Sequence, residues 1–214
     1  MGARGLAVQL ITISREYGAG GSELGLLLSQ ALGWPVLDHE LVQKLASRLK
    51  CEEGEVKAMD EHAPSLFERL ASVGVITAPE SRVHSTPWST DPDCVAAAAR
   101  EVLLEAAQRP PLIVVGHGGN CLFRDRPDVL RVRVTAPFEV RVDRVARRTG
   151  APRGRALAEV KRRDGDRQQY LQRYYHSDVN DPCQYDLQIN TGTVPLETSA
   201  RLILDIVEWE DARS

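Results

Sequence analysis

Ile11-Thr-Ile-Ser-Arg-Glu-Tyr-Gly-Ala-Gly-Gly-Ser22, followed at once by Glu23-Leu-Gly-Leu-Leu-Leu-Ser-Gln-Ala-Leu32, reads as a buried strand, a glycine-rich turn and the start of an amphipathic helix. That is the layout of a phosphate-binding loop. Glycines at 18, 20 and 21 let successive N–H groups turn inward, and the helix beginning near Ser22 adds the positive end of its dipole. Gly18, Ala19, Gly20, Gly21 and Ser22 are therefore the candidate anion cradle. Against the pattern G-x-x-x-x-G-K-[ST], Gly20 and Ser22 stand in register, but Arg15 stands where the first glycine belongs and Gly21 where the lysine belongs. A tight packing turn is the plainer alternative. Two residues favour the loop: Ser22 keeps the hydroxyl that holds Mg²⁺ in such sites, and Arg15 is a candidate replacement for the missing cation.

The chain of 214 residues fits one domain with a full hydrophobic core, carrying small inserted lobes. Cys51, Cys94, Cys121 and Cys183 form no C-x-x-C, and the five histidines do not group at ligand spacing, so reduced thiols and no zinc site are expected. The start reads as a core strand rather than a leader, and no apolar run approaches bilayer length. Cytoplasm is the expected compartment, with no membrane partner. The net charge of −3 is unevenly placed: residues 141–173 carry eleven basic side chains against four acidic ones, +7, and the remainder carries −10. A single basic element suits a compact polyanion better than a nucleic acid, although a solvated helix face is the plainer reading of any one arginine.

Five strand candidates, 7–14, 35–38, 112–116, 129–135 and 185–190, alternate with helices and predict an α/β fold with a parallel sheet. Asp91-Pro92 opens a helix to about 109, Pro137 opens another that stops at Thr149-Gly150, and a last one follows Pro195. Two segments stand outside this alternation, about 40–92 and 150–180, leaving a core of 1–39, 93–149 and 181–214. Both insertions fall after strands, at the edge where open α/β sheets bind ligands. The stretch Thr77 to Pro92 reads as a mobile loop or a merely exposed connector.

Further candidates cluster at the same edge. Asp38 ends the second strand and either hydrogen-bonds a sugar or base, or caps a helix. Val114-Val-Gly-His-Gly-Gly-Asn120 is a second glycine-rich turn whose His117 is a candidate acceptor contact or an ordinary loop histidine. Arg124, Asp125 and Arg126 either reach an acceptor phosphate or stay in solvent. In Val160-Lys-Arg-Arg-Asp-Gly-Asp-Arg167, Arg163 and Arg167 share a helix face, and Asp164 is placed to orient a guanidinium by an ion pair. Phosphoryl transfer needs such positioned charge. Asn190 and Thr191, at the polar exit of the last strand, line an adenine site or cap the next turn.

Ile13-Ser-Arg-Glu-Tyr-Gly-Ala-Gly-Gly-Ser22, Val36-Leu-Asp38, Ile113-Val-Val-Gly-His-Gly-Gly-Asn120, Arg124-Asp-Arg-Pro-Asp128, Asp164-Gly-Asp-Arg167 and Tyr185-Asp-Leu-Gln-Ile-Asn-Thr191 together resemble the cytidylate kinase-like family of P-loop proteins, in order along nearly the whole chain. The resemblance implies a three-layer α/β/α fold with a five-stranded parallel sheet, an acceptor-binding insertion at about 40–92 and an arginine-bearing lid at about 150–180. It also implies that Arg163, Asp164 and Arg167 handle phosphates. Two departures stand out: the loop lysine is absent, and the Gly-Arg expected after the third strand is Gly116-His117. The resulting expectation is transfer of the terminal phosphoryl of ATP·Mg²⁺ to a small acceptor, CMP or dCMP first, with Arg15, Arg163, Asp164 and Arg167 catalytic, Ser22 on the metal, and Asp38, His117 and Arg124 on the acceptor. A non-catalytic nucleotide-binding or regulatory module, and a kinase of another small metabolite, are the alternatives. Action on RNA ranks last, because aromatic residues near the basic segment are few beyond Tyr170, Tyr174 and Tyr175.

Overall fold

The computed structural model describes residues 7–38 and 92–212. The predicted acceptor-binding insertion therefore lies outside the described residues except for Pro92, as do His39 and Asp91. Five strands form one parallel sheet: β1 (Leu10–Arg15), β2 (Val36–Leu37), β3 (Leu112–Val115), β4 (Val129–Thr135) and β5 (Leu187–Asn190), in the order β2-β3-β1-β4-β5. The helices are α1 (Gly21–Leu32), α2 (Pro92–Ala106), the single turn α3 (Gly119–Leu122), α4 (Phe138–Thr149), α5 (Arg153–Tyr175) and α6 (Leu196–Asp211).

The sheet forms because its strands are apolar on both faces, as a sheet covered by helices requires. Ile11, Ile13, Val132 and Val134 face α1 and α6, meeting Leu24, Leu28, Ile203 and Val207. Leu10, Leu112, Val114 and Val129 face the other way, against Ala99, Val102 and Leu103 of α2. This is the three-layer arrangement the sequence predicts. Each fully buried Leu, Ile or Val contributes roughly 1.5–3 kcal/mol, so the two layers hold the sheet whatever happens at its rim. Among the described residues no helix is long and apolar enough to cross a membrane.

Strand edges differ from the sequence reading by a few residues. The last strand begins at Leu187 rather than 185, because Pro182–Gln184 close a 3₁₀ turn and Tyr185 follows it as the C-cap. The segment 150–180, expected as a lid, is mostly one helix, α5, which packs against α4 through Val142, Val145, Ala156 and Val160. Because β1 is flanked by β3 and β4, with register Leu10 to Leu112 and Leu10 to Val129, the chain leaves it at the switch point of the sheet, where a crevice opens at the carboxyl ends.

Candidate active site

The loop between β1 and α1 is built by backbone geometry and held from three sides. Gly20 caps α1 with φ +87°, a left-handed conformation that glycine adopts without strain, and Leu24 N–H closes the first helical turn on Gly20 O at 2.9 Å. The N–H groups of Gly21, Ser22 and Glu23 are thereby the donors that a helix start leaves for an anion. Glu16 N–H donates to Val134 O at 3.1 Å, and the Glu16 carboxylate accepts from Ala136 N–H at 3.1 Å, which docks the loop on β4. From β5, the Thr191 hydroxyl donates to Ala19 O at 2.7 Å. Arg144 donates to the Thr191 hydroxyl oxygen and carbonyl at 2.9 and 2.6 Å. Beside the loop lies a cleft of about 360 Å³ walled by Gly18, Gly20, Arg144, Val145, Arg148 and Leu196.

Thr191 thus serves the site by anchoring the loop. Asn190 does not line the cleft: its side-chain oxygen accepts from Gly192 N–H at 2.9 Å and its carbonyl from Thr193 and Val194, so the turn-capping alternative holds for it. Ser22 sits exposed at the second residue of α1, open to solvent on the loop's helical side.

Helix α5 supplies the cations. Its buried stripe runs Ala156, Val160 and Leu171, and the same 3–4 spacing places Asp164 and Arg167 on that inward face, where the loop replaces apolar neighbours. Arg167 donates to Arg15 O at 3.1 Å, and burial, reinforced by the charge of Arg163, pushes it down to about 10 although Asp164 offsets part of the effect. Asp164 accepts the Tyr17 N–H at 2.8 Å and pairs with Arg141, whose side chain is 7% exposed. The predicted pairing of Asp164 with Arg163 or Arg167 is corrected accordingly. Arg141 wins because it approaches from α4 at right reach and is fixed there by Ala136 O at 3.0 Å, Tyr17 O at 3.2 Å and Glu16 at 3.3 Å. Arg163 turns outward to Glu159 at 2.8 Å. Even so, its guanidinium, with those of Arg148 and Arg167, lies 5.4–5.6 Å from the ring of Tyr17. Sequence reasoning assigned no role to Tyr17, Arg141, Arg144 or Arg148. The signal was available: the three arginines repeat at spacings of three and four, one face of α4.

Toward β3, Arg15 leaves β1 and reaches the end of that strand, where its guanidinium rests over Gly116. Burial and the charge of Arg167 push Arg15 down to about 9, while Asp38 at the end of β2 pulls the other way, so the group stays charged at neutral pH. His117 is buried, with its ring edge-on to Tyr170 at 6.1 Å, and its carbonyl accepts the Tyr175 hydroxyl at 3.1 Å. It stands at the predicted edge, covered by the end of α5. Arg124 is exposed, 3.7 Å from Asp125. Arg126 is committed to Asp128 at 2.6 Å and Ala107 O at 2.9 Å.

A sequence model of the cytidylate kinase-like family matches residues 10–193. The chain belongs to this family. A cytidylate kinase of Aeropyrum pernix is 39% identical over 102 residues, 48% of this chain and 59% of that protein; one of Desulfurococcus amylolyticus is 34% identical over 97 residues, 45% and 52%. The matched region spans little more than half the length of these curated relatives. In three dimensions the chain is similar to an uncharacterized protein from Eubacterium ventriosum, with a TM-score of 0.68 at 19% identity over 93% of this chain and 98% of the other, which shows a shared fold. As a cytidylate kinase-like protein, the chain places its glycine loop, with the Arg167 guanidinium on the Arg15 carbonyl, at the switch point of a five-stranded parallel sheet.

Proposed function

We propose that this chain transfers the terminal phosphoryl group of ATP to a small acceptor, CMP or dCMP first, in the cytoplasm. The observation that carries the reading is convergence: the Arg167 guanidinium from α5 bonds the Arg15 carbonyl at the end of β1, close enough for its charge to act on the Arg15 guanidinium, beside the helix start of a glycine loop. Both guanidiniums are pushed down by burial, Arg15 further by the charge of Arg167 and Arg167 by that of Arg163, a strain that a bound polyanion relieves.

The residues fit a magnesium nucleotide. The donors at Gly21, Ser22 and Glu23 match phosphate oxygens, and the cleft walled by Arg144, Arg148 and Leu196 offers room for the nucleoside. Ser22 offers one exposed hydroxyl to Mg²⁺, which would complete its shell from phosphate and water. When bound, ATP·Mg²⁺ supplies the phosphoryl group and neutralises part of its charge. The protein's share is positioning. Arg167 and Arg15 brace the charge that spreads over the equatorial oxygens, Asp164 holds α5 on the loop by way of Tyr17 N–H and Arg141, and Asp38 faces the acceptor. Arg163 joins when its bond to Glu159 yields to phosphate.

A coupled ADP-release assay across nucleoside monophosphates and small alcohols tests this. ADP release stimulated by CMP or dCMP is the expected result. Release with another acceptor alone would replace cytidylate, and tight ATP binding without release for any acceptor would make the chain a nucleotide-binding module.

A further inference from the structure

We propose that Arg15 and Gly21 are an exchanged pair: the cation that phosphate-binding loops carry just before their hydroxyl residue is delivered here from the loop's first position, through the space that the absent side chain leaves open. The inference rests on the phosphate-site reading above and assigns its cation.

In sequence the two departures from G-x-x-x-x-G-K-[ST] look independent, six residues apart. In space they are one. A Cβ built on Gly21 would lie 2.7 Å from Arg15 Cβ, 2.8 Å from its Cγ and 3.4 Å from its Cδ. Those atoms are the stem of the side chain, not its flexible tip, so Arg15 on this path excludes any side chain at 21. Nothing in the backbone at 21 requires glycine, since it is an ordinary first residue of α1 with no positive φ. The nearest atoms that a side chain there would meet all belong to Arg15.

The far end of Arg15 fixes a second glycine. A Cβ on Gly116 would fall 1.9 Å from one terminal nitrogen of the guanidinium, and Gly116 has φ +92°. The fork therefore lies across the end of β3, next to the position where His117 stands in place of the arginine that the resemblance implies. A lysine ammonium at 21 would be a point charge confined to the loop. A guanidinium with five donors in a plane spans from the loop to the acceptor edge, so one residue covers both missing cations.

The exchange makes predictions on stability and on binding that do not need turnover. Gly21→Ala should lower Tm by about 4 °C with Arg15 present, because the methyl meets the arginine stem. In an Arg15→Gly background, which removes the Cβ together with the rest of the stem, the same change should be neutral or raise Tm, since alanine favours a helix over glycine. For binding, titration calorimetry with ATP and with pyrophosphate compares Arg15→Ala, Gly21→Lys and the double variant Arg15→Gly/Gly21→Lys, which restores the usual pattern. Both single variants should lose roughly tenfold or more in affinity, and the double variant should recover to within a few-fold of the parent. Additive Tm changes would overturn the shared-space claim. A double variant that is folded but binds no better than Arg15→Ala would overturn the assignment of the cation. Failure of the phosphotransferase reading is seen separately, as a parent protein that binds ATP and releases no ADP.

Discussion

The two halves of helix α5 touch the site in opposite ways. Its middle clamps the donor loop by charge, through Asp164 on Tyr17 N–H and Arg141 and through Arg167 on Arg15 O. Its last turns clamp the turn after β3 by rings: Tyr170 meets His117 and Tyr174, and Tyr175 covers Gly118 and donates to His117 O. Charge contacts respond to an incoming polyanion, since phosphate competes for the same guanidiniums. Ring packing does not. On the proposed phosphotransferase reading, one element then has an end that a polyanion would retune and an end that it would leave in place.

The sharpest way to break that contrast is at Arg167. Arg167→Ala should lower kcat on the order of 10²-fold or more with a smaller change in KM, as expected for one preorganised charged donor worth about 3 kcal/mol of barrier, and Lys should rescue poorly. Steady-state kinetics with near-parent kcat would reduce the charged half to a surface feature. Next, saturating pyrophosphate, at about 100 times its Kd, should stabilise the protein by roughly 2.7 kcal/mol in thermal melts, and this gain should shrink in Arg167→Ala. Arg141→Ala should destabilise by about 2 kcal/mol in urea melts, because it strands Asp164 and Glu16; those carboxylates are partly solvated, which holds the loss below that of a fully buried pair. Smallest is Tyr175→Phe, about 1 kcal/mol of stability for the lost hydrogen bonds of its hydroxyl to His117 O and Tyr170, with kcat unchanged and no dependence on salt. A salt-sensitive loss there would erase the difference between the halves.

Local pattern made much of this legible. Alternating apolar runs place all five strands, and the Gly18 to Ser22 turn is recognisable because its chemistry lies in consecutive residues. Pairing across long sequence distance was not. Asp164 sits three residues from Arg167, the spacing of a helical ion pair, yet its partners are 23 residues away on α4 and 147 residues away in the loop. Nor does composition tell that Arg126, one of a basic pair with Arg124 at the right edge, is spent on Asp128. The inward stripe 156, 160, 164, 167, 171 did carry the answer: two charged residues on a buried helix face demand polar partners, which the loop and Arg141 of α4 supply.

Helices α4 and α5 bury their shared apolar side chains mainly against each other, in a small cluster separate from the two that cover the sheet, with Tyr17 as its bridge to the loop. Such a unit opens with its own free energy, below that of the whole domain. In native-state hydrogen exchange the β1 amides, bonded on both edges by β3 and β4, should be among the last to exchange, while those of α5 exchange earlier and slow when a nucleotide is added. The sheet then serves as the fixed jaw of a vice whose other jaw has its own melting point.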